Sequence, residues 1–388
     1  MITKNKSIKE KEINIGIKGD YLTEITCKSI LPAIINLIEN NNLKSSINIR
    51  KLKEGSAKTG IYRADIKLDL SMIILIDKTH NLGTELNKRK SFPKIVRKRF
   101  PQIYFTGTNG ETRIAVVEYV GKTISQMIYE NSENAKSLIV NFIKSTIPLY
   151  NSTKINSSVD LERFYLRWID YRLKLAFDVC KEIKNFTQNK IKYNNSTFNS
   201  LLNYINEINK FLEVLEPNFR TFIHGDWWGS NWTFYNNRFY FFDWDPYHLV
   251  YGDYLYDFAK IIWWLETTNI GTDPIPSDPY FNSRNELKLS IKKSQNYYKI
   301  NFETFKPDWV KSTLKEVKKL VKELAEALND RYWEPRLELA IGSTYLGLVK
   351  KSILRYNDIN SAIFLYIKGL VHLKNCIEIT NRIVEVKK

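Results

Sequence analysis

Long hydrophobic runs are missing from this chain of 388 residues. Its most apolar stretches, such as Ser71–Ile76 and Phe239–Phe242, are strand-sized and fall far short of the ~20 residues that span a bilayer. The opening MITKNKSIKEKEINIGIKGD holds no apolar core of signal-peptide type. Cysteine is scarce: Cys27, Cys180 and Cys376 are far apart and odd in number. That excludes a disulfide framework or a cysteine metal cluster and favours a reducing, cytoplasmic compartment. Acidic residues are the minority, 42 against 59 Lys+Arg, for a formal charge of +17. Such an excess raises nucleic-acid or membrane-surface binding. The lysines, however, are spread through helical segments such as Lys311–Lys322 and not massed in one tail. They read as the bias of a Lys-, Asn- and Ile-rich composition. Repeats and low-complexity linkers are also lacking.

What is present is a globular composition, 43% hydrophobic and 26% charged, long enough for two or three domains. Tyr21–Glu39 has apolar residues at helical spacing, with a kink expected near Pro32. Ser46–Lys53, Ile61–Leu68 and Met72–Lys78 read as strands, and Leu82–Phe100 as a helix that Pro93 threatens to break. Gln102–Thr106 and Glu111–Tyr119 flank Thr108-Asn109-Gly110, a strong hairpin signal. After Val120-Gly121 the character changes. Helices are expected over Ser125–Tyr150, Leu161–Lys184, Ser196–Leu215, Tyr254–Leu265, Asp308–Leu328, Leu337–Leu354 and Ala362–Val384. The expectation is an α+β chain with a small antiparallel β lobe over 1–120 and a larger helical lobe over 121–388.

One hairpin interrupts the helices: RTFIHGDWWGSNWTFYNNRFYFFDWDP, Arg220–Pro246, with Asn236-Asn237 at its turn. Asp226 follows an apolar run and is suited to accept a proton from a hydroxyl nucleophile. Asn231 offers a neutral oxygen, and Asp243 ends the apolar strand Phe239–Phe242, where a carboxylate suits a hard cation such as Mg²⁺. Hairpin geometry brings Asn231 and Asp243 to the same end of the two strands. A base, an amide ligand and a metal carboxylate are the parts that phosphoryl transfer needs.

His-Gly-Asp, four residues, Asn, a short hairpin and an apolar run ending in Asp-Trp-Asp resemble the Brenner motif and metal aspartate of the aminoglycoside phosphotransferase and choline kinase family. Gly252-Asp253 and Tyr256-Asp257-Phe258-Ala259 match its continuation. The resemblance is strong over Phe222–Ile262, weaker over Ser46–Gly121 and untraceable in the C-terminal helices. It implies a bilobal protein-kinase-like fold, ATP (or GTP) as donor and Mg²⁺ as cofactor. It implies Asp226 as catalytic base, His224 as support of the catalytic loop or a satisfied structural histidine, and Asn231 and Asp243 as metal ligands. Asp245 is left open between a substrate contact and a turn residue.

On the nucleotide side, Gly55-Ser56-Ala-Lys-Thr-Gly60 is not a Walker A loop, because Ile61-Tyr62 and a strand follow it. The resemblance makes it the phosphate-covering turn. It makes Lys78 the phosphate-pairing lysine, Glu85 its carboxylate partner and Glu118-Tyr119-Val120 the adenine-contacting hinge.

Two indoles, Trp227 and Trp228, follow the base directly, and Trp227 is taken as a substrate contact by stacking or cation–π attraction. Thr221–Tyr280 carries eight carboxylates against only Arg238 and Lys260, which suits a cationic acceptor. The motif also resembles the fructosamine kinase relatives, whose pattern after the metal aspartate differs. A small-molecule O-kinase therefore leads over a protein kinase or effector of the same fold, which lacks support because no Asp-Phe-Gly…Ala-Pro-Glu pattern occurs. It also leads over an inactive nucleotide-binding scaffold and over a basic nucleic-acid binder.

Overall fold

The computed structural model describes residues 15–18, 47–53, 60–66, 70–77, 81–109, 112–194, 196–244, 250–267, 289–294, 297–302, 307–356 and 358–385. The chain forms two compact units, residues 1–121 with 240–242 and residues 122–239 with 243–388.

The first unit is built on short β-branched segments. Its strands are β1 (Ile15–Lys18), β2 (Ile47–Lys53), β3 (Gly60–Ile66) and β4 (Leu70–Asp77). Helices α1 (Asn81–Arg89) and α2 (Lys94–Arg97) come next, followed by β5 (Ile103–Asn109) and β6 (Thr112–Glu118). The six strands lie in the order β1-β2-β3-β4-β6-β5. Only β1 and β2 pair in parallel; the other pairs are antiparallel. Leu75, Ala115 and Val117 from β4 and β6 bury one face against Leu82 of α1, with Ile73 and Leu86 at the margin. The helix expected over Leu82–Phe100 is two helices, because Pro93 stands at the start of α2 with φ −53° and has no N–H for the preceding turn. The β5–β6 hairpin forms, but β5 runs through Thr108 and Asn109, and Asn109 pairs with Thr112. The turn itself, and the helix expected over Tyr21–Glu39, lie outside the described residues.

The second unit opens with α3 (Ile124–Glu130) and α4 (Ala135–Thr153). One helix was expected there. Thr123 caps α3 in a capping box with Gln126, and the Asn131 side chain accepts from the N–H of Glu133, which ends α3 and starts a new turn. A π-helical turn (Glu162–Leu166) leads into α5 (Arg167–Phe177), then α6 (Lys181–Gln188), β7 (Lys190–Tyr193), β8 (Ser196–Phe198), α7 (Leu201–Asn209) and α8 (Leu212–Leu215). The segment around the Arg220–Pro246 hairpin contributes β9 (Thr221–Phe222), β10 (Trp232–Tyr235), β11 (Arg238–Phe241) and β12 (Tyr251–Gly252). Helix α9 (Leu255–Thr267) follows, then β13 (Leu289–Lys293), β14 (Tyr297–Phe302) and three long helices, α10 (Asp308–Ala327), α11 (Trp333–Tyr356) and α12 (Ile359–Glu385). The sheet β13-β14-β7-β8 was not expected. It joins strands about a hundred residues apart, β7 and β14 pairing in parallel, and buries Ile191, Phe198, Ile300 and Phe302. The architecture is α+β, a small, mostly antiparallel sheet lobe and a larger, mostly helical lobe.

Candidate active site

The site grows from the end of β9. Two strand bonds to β12, Phe222 opposite Tyr251 and Thr221 opposite Gly252, hold the chain just before the loop. The N–H of Ile223 then donates to the Val250 carbonyl at 3.0 Å, and the Trp244 indole N–H donates to the Ile223 carbonyl at 3.0 Å. Gly225 turns the chain at φ 82°, a left-handed conformation that costs glycine little.

Helix α9 supplies the anchor. Asp257 is fully buried, and its carboxyl accepts from the N–H of His224 at 2.9 Å, the N–H of Gly225 at 2.7 Å and the Tyr150 hydroxyl at 3.1 Å. Burial pushes Asp257 up to about 7, against the pull of those donors and of Lys260. Two consecutive loop amides are therefore tied to one side chain in a helix core. His224 is buried and its Nδ1 accepts from the N–H of Asp226 at 3.4 Å, so the imidazole braces the turn.

Asp226 is the part-exposed carboxylate at the tip of this loop, its side chain 33% accessible. Its Oδ2 accepts from the Asn231 amide at 2.9 Å and from the Trp228 indole at 3.2 Å. Its Oδ1 accepts from the Lys260 ammonium at 3.2 Å. Asn231 also donates to the Asp226 carbonyl at 2.9 Å, closing the five-residue loop on itself. Gly229 lets the loop pass beneath α9: a Cβ there would stand 2.2 Å from the Trp264 ring and 2.6 Å from the Ser125 hydroxyl. The Gly229 carbonyl accepts from the Ser125 N–H at 2.8 Å.

Asn236 and Asn237, both at positive φ (47° and 57°), make the β10–β11 turn as the Asn-Asn pair indicates. Asn231 precedes β10 and Asp243 follows β11, so both sit at the open end of the hairpin. Asp243 is exposed, with φ 60°. The Asn231 NH₂ is committed to Asp226, which leaves the amide oxygen as the atom for a cation. A buried carboxamide oxygen and an exposed carboxylate are hard donors that fit Mg²⁺, which keeps most of its coordination for water and phosphate oxygens. Among the described residues there is no group of three His, Cys, Asp or Glu side chains placed to hold a metal.

Of the other expected residues, only some are among those described. Gly55, Ser56, Lys78 and Asp245 lie outside the described residues, as does the side chain of Glu85, whose backbone is in α1. Gly60 is the first residue of β3. Glu118 ends β6, where its carboxylate accepts from the Gln102 N–H at 3.1 Å; the Tyr119 ring lies under the Arg63 guanidinium at 4.1 Å, and Val120 is buried.

One expectation needs correction. Trp227 is not placed to stack on a substrate: it is 1% exposed, packed against Phe142 (4.9 Å between centroids), Tyr150 and Phe258. The partly exposed indole at the carboxylate is Trp228. Of the eight carboxylates of Thr221–Tyr280, four are engaged by other residues of the fold, while Asp243 is exposed and Asp245, Asp273 and Asp278 lie outside the described residues. Asp257 holds the loop, Asp226 pairs with Lys260, and Glu266 pairs with Lys368 at 3.0 Å. Asp253 pairs with the buried Arg336 at 2.8 Å, and Arg336 also binds Asp330. Sequence reasoning missed Lys260, Tyr150 and Arg336. Only the Gly-Asp and Tyr-Asp-Phe-Ala matches pointed toward Asp253 and Asp257, without assigning them roles.

An aspartate-tipped loop tied to a buried helix and followed by an Asn-to-Asp hairpin carries the motif on which the chain resembles kinase-type phosphotransferases. Residues 160–275 match the family described as APH, the phosphotransferase enzyme family. The fold is that of the aminoglycoside phosphotransferase and choline kinase family, which the chain resembles in its motifs as well. The crystal structure of aminoglycoside phosphotransferase APH(4)-Ia is similar at a TM-score of 0.51, 13% identical, over 89% of this chain and 98% of that one. A thermostable mutant of the same protein, in ternary complex with ADP and hygromycin B, is similar at 0.52 and 13% identity, over 88% and 97% of the two chains. Plasmodium vivax ethanolamine kinase is similar at 0.50 and 13% identity, over 90% and 89%. A search of curated proteins found no match to this chain in sequence. No helix among the described residues is long and apolar enough to cross a membrane.

Proposed function

We propose that the protein is a nucleoside-triphosphate-dependent phosphotransferase that moves the γ-phosphoryl group of ATP (or GTP) to a hydroxyl of a small molecule. The observation that carries this reading is the Asp226 carboxylate. It is part-exposed, yet fixed by Asn231, Trp228 and Lys260, on a loop whose amides are bound to the buried Asp257. Such a carboxylate orients an acceptor hydroxyl and receives its proton at little reorganisation cost. Asn231 and Asp243 would hold Mg²⁺, which when bound neutralises phosphate charge. The nucleotide contacts expected of Gly55, Ser56, Gly60, Lys78, Glu85 and the segment 118–120 belong to the same proposal. Aminoglycoside-like, amino-alcohol and sugar acceptors are the candidates, and a cytoplasmic setting goes with them.

Asp226→Asn tests the reading. It keeps the shape and removes the charge, so turnover of radiolabelled ATP against a panel of aminoglycosides, choline, ethanolamine and sugars should fall roughly a hundredfold or more. Affinity for MgATP should barely change. Turnover at the wild-type rate in this variant rules out Asp226 as the base.

A further inference from the structure

Lys260 lies in the middle of α9, a helix buried along almost its whole length, and is itself 7% exposed. A buried ammonium needs a charged partner. The nearby Tyr256 ring, 5.4 Å from the ammonium, contributes some attraction. The Lys260 ammonium pairs with a carboxylate, Asp226 Oδ1, at 3.2 Å. Lys260 therefore reaches across from the helix that also anchors the loop through Asp257, one turn earlier on the same face.

The donors on Asp226 divide its lone pairs. A carboxylate offers about four acceptor positions, two on each oxygen. Both positions on Oδ2 are taken by Asn231 and Trp228, and one on Oδ1 is taken by Lys260. The remaining position on Oδ1 is where an acceptor hydroxyl can bond, and it lies next to the ammonium. We infer that Lys260 is a positioning residue for the transfer, holding Oδ1 toward the acceptor and keeping a fixed positive charge where the phosphoryl group crosses. This rests on Asp226 being the base, as proposed above.

In the step so placed, the acceptor oxygen forms a bond to the γ-phosphorus. The bond from that phosphorus to the bridging oxygen breaks, and its electron pair leaves on the nucleoside diphosphate. The hydroxyl proton passes to Oδ1 of Asp226. Lys260 keeps all its protons. Without its charge, an anionic phosphoryl group would approach an anionic carboxylate in a partly buried site, where repulsion is poorly screened.

The test separates charge from mere hydrogen bonding, using the full chain, MgATP as probe and water as acceptor, with ADP release as the readout. Lys260→Arg keeps the charge; Lys260→Gln keeps an N–H for Oδ1 but is neutral. The expected result is kcat at least tenfold lower in Lys260→Gln, and within about threefold of wild type in Lys260→Arg, with KM for MgATP moving less than about threefold in either. Lys260→Met, apolar and of similar length, is the second neutral variant should the buried amide of Gln prevent folding, and the same loss is expected of it. A folded neutral variant with wild-type kcat overturns the inference, as does a folded Lys260→Arg as slow as the neutral ones. Asp226→Asn run alongside keeps the two questions apart. If it is inactive while Lys260→Gln is not, the base stands and the lysine's role falls; if Asp226→Asn is itself active, the underlying reading fails.

Discussion

Replacing Arg336 by methionine should remove a buried ion-pair brace on Asp253, just ahead of α9. Arg336 is 1% exposed, and its guanidinium is fully committed. Nε donates to Asp253 Oδ2 at 2.8 Å, Nη1 to Asp330 Oδ1 at 3.0 Å and to the Leu215 carbonyl at 3.2 Å, and Nη2 to both aspartates. The tyrosines Tyr165 and Tyr254 complete the two carboxylates at 2.9 and 2.8 Å. Burial already pushes the Asp253 carboxyl upward despite Arg336. Methionine fills much of the volume but leaves two buried carboxylates facing each other and one carbonyl unpaired. Breaking a buried pair by removing one partner costs roughly 3–5 kcal/mol, and two orphaned carboxylates place this variant at the upper end. Against a typical domain stability of about 5–15 kcal/mol, most of the native population is at risk. Urea unfolding followed by tryptophan fluorescence reads the loss as a shift in midpoint at constant slope. A second substitution, Asp253→Leu in the Arg336→Met background, should recover part of it by removing one orphan. A shift equivalent to less than about 1 kcal/mol in Arg336→Met would refute the argument that this cluster is fully desolvated and mutually dependent.

Three further outcomes follow from the same physics. With Asp257 protonated up to about 7 in the folded chain and ionised near the ordinary carboxylate value when unfolded, the fold binds the extra proton between those values. Stability contributed by that proton is therefore lost as pH rises from about 4 to about 7, by up to roughly 4 kcal/mol. Asp257→Asn should flatten that slope in thermal melts and, having only one acceptor oxygen for three donors, lower turnover at least about tenfold; an unchanged slope and rate would contradict it. Burial disfavours the His372 imidazolium, but Glu266 and Glu338 outweigh it and raise its pKa. The ring sits 2.7 Å from Glu338 and 3.6 Å from Glu266, stacked on Tyr345, while Lys318 and Lys368 face the same two carboxylates and Asn375 donates to Glu338. Burial likewise works against ionised Glu338, yet His372 and Lys318 hold it down to about 2. The His372 contribution is fully present below the ordinary histidine value and fades as pH rises through its raised folded value, so His372→Phe should lose more stability at pH 5.5 than at about pH 9, measured by urea midpoints. Finally, calorimetry should show ATP binding much more tightly with Mg²⁺ than with chelator or in Asp243→Ala; equal affinity in all three would remove Asp243 from the metal site.

Much of the local structure was legible because it depends on short-range chemistry. Pro93 broke a helix where it had to, and the Asn236-Asn237 pair accepted the left-handed turn that joins β10 to β11. Strand and helix periodicity placed β2 to β6 and the three long C-terminal helices to within a few residues. The candidate motif was visible because Asp226, Asn231 and Asp243 lie on one contiguous hairpin segment, so their spacing is a local property. The first unit's nucleotide-side residues rested on resemblance alone, and several lie outside the described residues.

What the tertiary structure alone decided concerns partners distant along the chain. Asp226 meets Lys260 across 34 residues, and Asp257 finds Tyr150 across 107. Arg336 gathers Asp253 and Asp330 from separate elements, and β14 joins β7 from over a hundred residues away. Nothing in the local pattern marks such pairs, since Lys260 reads as one more lysine among many and the Gly252-Asp253 match does not point to Arg336 as its partner. Of the surplus of carboxylates in Thr221–Tyr280, Asp253, Asp257 and Glu266 serve as internal bracing, which their charge alone does not reveal. Burial makes the difference: removed from water, a charge must find an opposite charge or a full set of hydrogen-bond donors, and only the packed chain determines which one it finds.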